Sequence, residues 1–282
     1  MSDTIKHRIW EIIGRNTSDA ESEWLEQKGT SAPLELMTAF VAAPRFLSKK
    51  IIETTDEDKW ELNTEVPGFS VENWSLVRLS RVWLVTQLDP SDKEEYVKNV
   101  DTLFDTAEMN ELVALYSALP LLSYPEQWLF RATDAVRSNM GFVFDAIAFH
   151  NPYPEKHFNE LAWNQLVLKT IFNDKPIHLI EGLQNRMNEK LAVTLSDFAH
   201  ERWAAGRSVP PQVWRLVSRY MTPTILADMQ YLFNSENRED QKAAALACSE
   251  SSLINANYLL AKYTDLEKSV KSGALTWAEL EH

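Results

Sequence analysis

Between Glu72 and Leu88 the apolar residues Trp74, Val77, Leu79, Val82, Trp83 and Leu84 recur at a spacing near 3.6, the α-helical period, with Arg78 and Arg81 on the other side. The same alternation of apolar stripe and polar face runs along most of the chain. It predicts helices over 3–14, 19–28, 33–43, 71–88, 91–106, 109–119, 125–138, 140–149, 159–172, 188–205, 210–219, 223–233, 238–249, 253–263 and 265–273. Asn-Gly, Asp-Gly and Gly-Gly are missing, and the chain has only seven glycines, so the strongest hairpin signals are absent. Residues 51–69, with Thr54-Thr55-Asp56-Glu57-Asp58 and Pro67-Gly68, break the pattern and read as a loop or a small extended insert.

Local chemistry marks the helix ends. Ser18-Asp19-Ala20-Glu21, Ser91-Asp92-Lys93-Glu94 and Thr276-Trp277-Ala278-Glu279 have the capping-box spacing, in which hydroxyl and carboxylate each accept from the other residue's backbone N–H. Thr222-Pro223 puts a capping hydroxyl before a proline at the first helical position, where a missing N–H costs nothing. Gly14, Gly29, Gly206 and Gly273 follow periodic segments, as helix-ending glycines do. Pro120, Pro125, Pro152, Pro154, Pro176 and Pro210-Pro211 mark the joints. Many short helices on short connections predict an all-α fold: antiparallel helix pairs stacked as an irregular α-α superhelix, like a HEAT solenoid, in a single helical domain over 1–282. There is no strict repeat; the nearest sign is the Ala-rich face of Asp240–Ala247, where small side chains let helices approach closely.

Composition narrows the function. Hydrophobic residues make up 45% of the 282 and charged residues 24%, a globular balance that argues against disorder. The net charge is −13 and the densest basic run is Lys49-Lys50, so no nucleic-acid partner is expected. No run approaches the roughly 18 apolar residues of a membrane span, and the start lacks a secretory pattern; no membrane insertion and a cytoplasmic location are expected. One cysteine, Cys248, lies in an apolar helical run and reads as a buried thiol rather than a nucleophile. Leu280-Glu281-His282 reads either as native chain or as the stub of a purification tag and is set aside from the functional reading.

Nucleotide-binding glycine loops, zinc-protease motifs and serine-hydrolase elbows are absent, and neither a metal nor a cofactor is implied. Two polar segments remain. In 124–140, Arg131, Asp134 and Arg137 recur every third residue on one helix face; they form either a solvated ion-pair ladder or a fork of guanidiniums for an anion. In 195–207, Asp197 and Glu201 stand four apart, where like charges repel, and His200 lies beside them. The set serves either helix-to-helix pairing, or an acid/base pair or a partial metal site, for which one His and two carboxylates is a thin set. Between these segments Asp145 precedes His150-Asn151-Pro152-Tyr153-Pro154, a stiff turn that either places His150 and Asn151 at a groove or sets His150 against helix-end carbonyls.

Several stretches carry a family resemblance: Leu119-Pro120-Leu121-Leu122, Tyr124–Thr133, Val136-Arg137-Ser138-Asn139, Phe144–Ala148, Asn151-Pro152-Tyr153-Pro154, Trp163–Lys169 and Ala199–Arg207. Together they resemble the EboA domain family, most clearly over 119–217. The resemblance implies a bacterial protein of a small gene cluster linked to traffic of secondary-metabolite precursors toward the periplasm. It carries no reaction over to particular residues.

Two functions follow as expectations. The first is a non-enzymatic scaffold or metabolite-binding protein. Its groove would be lined by Arg131, Arg137, Asp145, His150, Asn151, Asp197, His200 and Glu201 with aromatic walls such as Trp128, Trp163 or Trp203, and its partners would be a small metabolite or proteins of the same cluster. The alternative is an enzyme acting on such a precursor with His200 and Asp197 or Glu201 as acid and base.

Overall fold

The computed structural model describes residues 3–281. The fold is all-α, as the periodicity predicts. Its helices are α1 (Asp3–Asn16), α2 (Asp19–Gly29), α3 (Pro33–Phe46), α4 (Asp56–Glu65), α5 (Leu76–Val85), α6 (Lys93–Thr106), α7 (Met109–Ala118), α8 (Leu129–Arg137), α9 (Gly141–Ala148), α10 (Tyr153–His157), α11 (Glu160–Phe172), α12 (Glu189–Ala204), α13 (Pro223–Phe233), α14 (Arg238–Glu250), α15 (Ile254–Leu260) and α16 (Thr264–Lys271). The chain forms two compact units, one running to Trp163 and the other from Asn164. Among the described residues no helix is long and apolar enough to cross a membrane.

The boundaries follow the caps with instructive exceptions. The Ser18 box forms, and Thr222 caps α13 through Ile225 N at 3.2 Å. At α6 the cap is Asp92, which accepts from Glu95 N at 3.1 Å, while the Ser91 hydroxyl donates to Asp89 at 2.7 Å. Thr276 caps with no side-chain bond, and only a short 3-10 turn follows. The stretch read as a loop at 51–69 contains α4. Thr55 and Asp58 make a reciprocal capping box at 3.1 and 2.8 Å, and Asp58 is buried because Arg15 of α1 donates to it at 2.5 Å. The helix read at 210–219 is two 3-10 turns, Pro211–Leu216 and Ser218–Tyr220, the first opening on a proline pair. Leu280 is buried and Glu281 pairs with Arg215 at 3.0 Å, so both are packed into the fold. Met1, Ser2 and His282 lie outside the described residues.

The first unit is built around α5. The helix read as two-faced is buried except at half-buried Arg78: Leu76, Leu79, Val82 and Leu84 are fully enclosed, and Arg81, placed by its period on the polar side, is only 2% exposed. A guanidinium tolerates that burial only with counter-charge and acceptors. Arg81 Nη2 donates to Glu111 of α7 at 2.9 Å, and Nε donates to the Phe40 carbonyl of α3 at 2.9 Å. The other Glu111 oxygen accepts from Glu108 N at 3.1 Å. Helices α3, α5, α7 and α9 pack each against the next, and α1 packs on both α4 and α5. Gly29, the last residue of α2, is a glycine for a steric reason: a Cβ there would lie 2.2 Å from the Trp83 ring of α5.

The second unit is centred on α14, which packs against α13, α15, α16 and the 211–216 turn. Ala243 to Cys248 are all buried, so small side chains admit neighbours on several sides. Cys248 is buried, as its apolar context predicts, and burial pushes its thiol up to about 12.

Replacing Glu111 with Leu strands the Arg81 charge, and we expect a loss of about 3 kcal/mol, read from the urea midpoint. A second expectation concerns pH. Burial pushes the Glu21 carboxyl up, but hydrogen bonds from Ser18 and Ser48 outweigh it and hold it at about 2, against an ordinary 4.5. A depressed carboxyl stabilises the fold above its unfolded value and loses that contribution as pH falls. The stability difference between wild type and Glu21→Gln is therefore full above pH 4.5 and fades toward pH 2, which urea melts along a pH series will read.

Candidate functional site

In the second unit, α12 presents the Asp197, His200 and Glu201 segment. Asp197 and Glu201 are both exposed, so water screens their mutual repulsion. His200 has a different partner from either. Its Nε2 lies 2.6 Å from Oδ1 of Asp228 on α13, and the Ser196 hydroxyl donates to the other Asp228 oxygen at 2.6 Å. A carboxylate offers only acceptors, so Nε2 is the donor to Asp228. Asp228 is 3% exposed while the His200 side chain is 44% exposed, so a buried acid orients an accessible imidazole. Trp203 adjoins the His200 ring at 5.8 Å, stacks on buried Trp214 at 5.6 Å and meets Tyr231 at 4.2 Å.

The candidates of the first unit have separate roles. Arg131 turns to α6, where Nε and Nη2 reach Asp101 at 3.1 and 2.9 Å and Nη2 reaches Asp105 at 2.6 Å. Arg137 is exposed at the end of α8. Asp145 is half-buried on α9 and attracts the Arg78 guanidinium of α5 electrostatically. His150 has φ +50° and turns the chain out of α9. Asn151 is buried, and its amide is committed to backbone: it donates to the carbonyls of Tyr116 and Ala146 at 3.0 and 2.9 Å and accepts from Tyr153 N at 3.0 Å. Trp128 and Trp163, expected as groove walls, are fully buried core side chains.

The second unit also contains a feature that the motif reading missed. A cavity of about 610 Å³ lies among the 174–179 loop, the 210–213 turn, Asn237, Glu239 and Leu280. Its walls are mainly apolar, from Ile171, Ile177, Leu179 and Val213 with Pro176, Pro210 and Pro211. Polar groups are few: Asp174, Lys175, His178, Gln212, Asn237 and Glu239. Lys242 holds Glu239 at 2.8 Å, and the Asn237 side chain caps α14 through Glu239 N at 3.0 Å. A large, mostly apolar hollow with scattered polar groups is the usual form of a small-molecule site. His200 is not among its lining residues. The proline joints at 176 and 210–211 were the available signal, since stiff loops keep a hollow open.

The Asn151 geometry predicts that Asn151→Ala leaves two buried carbonyls and the Tyr153 N–H without their partner, at a cost of about 2–3 kcal/mol in a urea melt.

A family model described as metabolite traffic protein EboA matches residues 5–218. No curated protein and no solved structure matches the chain significantly.

Proposed function

The chain belongs to the EboA family, and from that premise we propose that it is a non-enzymatic metabolite-binding protein whose ligand occupies the cavity of the second unit. The family's description supplies the metabolite-traffic role. The single observation that carries the binding reading is the cavity of about 610 Å³ with its mainly apolar walls. That volume falls in the range of roughly 300–1,000 Å³ typical of small-molecule sites. Three of its lining residues are prolines, so the wall is pre-shaped and little ordering entropy is lost on binding. The ligand class is a largely apolar secondary-metabolite precursor with one or two polar groups. His178 is half-buried on the wall, makes no hydrogen bond among the described residues and is placed to orient such a group. In this reading the protein acts in the cytoplasm and presents the precursor to other proteins of its gene cluster on the route toward the periplasm, so that binding and scaffolding are two sides of one role. The Arg131, Arg137, Asp145 and Asn151 segments then serve the fold or its surface rather than the ligand.

A second reading has one observation in its favour. The His200–Asp228 pair, at 2.6 Å, is the arrangement that orients a general base. An enzyme of this kind would act on the same precursor with His200 as acid and base, and with Asp228 rather than Asp197 or Glu201 behind it.

Native mass spectrometry of protein purified from its producing cells tests both. We expect a retained small molecule in the wild type and its loss in Leu179→Trp, which fills the cavity from a half-buried wall position. Absence of any retained molecule, or retention undiminished in Leu179→Trp, overturns the cavity reading. Conversion of the molecule by wild type but not by His200→Gln moves the assignment to the enzyme.

A further inference from the structure

We propose that the first unit carries a separate binding site for a small oxyanion, a carboxylate or phosphate, in the cavity where Lys49, Arg78 and Arg81 converge. This cavity measures about 260 Å³, and Ser75, Glu108 and Asn110 also line it. It is too small for the precursor class assigned to the second unit and is the right scale for one compact anionic group.

The charges in the cavity do not balance. Arg81 is matched, with Glu111 at 2.9 Å and Glu108 at 3.6 Å. Arg78 is not. Its Nε and Nη2 both donate to one acceptor, the Ser117 hydroxyl, at 3.0 and 2.7 Å. Its face lies over the Trp74 ring, 4.0 Å from the centroid. Among the described residues no carboxylate comes within ion-pair distance of Arg78, and Asp145 acts on it only through longer-range attraction. Burial lowers this guanidinium to about 9, and the Asp145 charge only partly opposes that shift. A guanidinium has five N–H donors, and Nη1 of Arg78 makes no hydrogen bond among the described residues. A half-buried, planar, partly unsatisfied fork beside open space suits an oxyanion.

Two further features point into the same space. Lys49 stands at the rim on a segment fixed by backbone pairing: Leu76 N donates to the Lys50 carbonyl at 2.9 Å, and Ile52 N to the Trp74 carbonyl at 2.9 Å. Its ammonium forms no ion pair among the described residues. The first turn of α5 also faces the cavity, with Ser75 as its cap at 3.2 Å from Arg78 N, and the positive end of the helix dipole favours an anion there. Glu108 is the only acidic lining residue and leans toward Arg81.

Isothermal titration of the full-length protein with inorganic phosphate, and separately with acetate, at constant ionic strength tests the site. Saturable binding of at least one probe is expected, with chloride giving none. The stronger probe names the group: phosphate for a phosphorylated ligand, acetate for a carboxylate. Lys49→Gln, an exposed change that leaves the core intact, weakens the preferred probe about tenfold through loss of a charge-assisted bond. Arg78→Lys keeps the charge but removes the fork and weakens binding further. Lys262→Gln, exposed in the second unit, leaves it unchanged. No saturable binding of either probe, or binding indifferent to Lys49→Gln, overturns the proposal.

Discussion

A guanidinium can enter an apolar core only where oxygens are already positioned to receive it, and the first unit is arranged around that requirement. Arg81 is 2% exposed in the middle of α5, so its acceptors must come from neighbouring helices. Phe40 of α3 supplies a carbonyl and Glu111 of α7 a carboxylate. Glu111 accepts a backbone N–H through its other oxygen, which fixes the start of α7 as well. One side chain thereby fixes the positions of three helices relative to one another. Hydrophobic burial alone would let them slide; the directional bonds of Arg81 do not. Arg78, one turn earlier, finds only the Ser117 hydroxyl as a side-chain acceptor among the described residues.

The second unit solves its packing by a different route. Its central helix α14 brings small residues instead of charges, and Ala243, Ala244, Ala245 and Ala247 are fully buried. Short side chains let α13, α15 and α16 approach it without a polar network. The polar atoms of this unit are thus free to gather elsewhere: Asp228 behind His200, and the mixed rim of the large cavity.

Much of the helical pattern could be read from period and punctuation. Thr222-Pro223 and Ser18–Glu21 mark starts that the structure keeps, because a cap acts within one turn and needs no tertiary information. Helix α4 escaped notice because Trp60 and Leu62 make no helical stripe; its acidic start is stabilised by Arg15, 43 positions from Asp58 in sequence. The same distance problem hid the site. Asp197 and Glu201 drew attention as neighbours of His200, whereas its true partner, Asp228, lies 28 residues away on another helix. Asn151 was read as a candidate at a groove, but its amide faces backbone, which residue type alone does not reveal. The cavity was beyond motif reading because loops and turns build it, and no spacing rule links residue 175 to residue 237.

The proline wall of that cavity bears on selectivity. Pro176, Pro210 and Pro211 have no N–H, so on the proposed binding role the wall on that side would recognise a guest by contour more than by donated bonds. Contour discriminates weakly: a methylene more or less is worth about 1–3 kcal/mol in an apolar pocket, while a missing hydrogen bond to a dedicated donor rejects far more strongly. On the proposed binding role, a hollow of this build would admit a graded series of congeners rather than one molecule, and any finer choice among them would fall to the few polar groups at its rim.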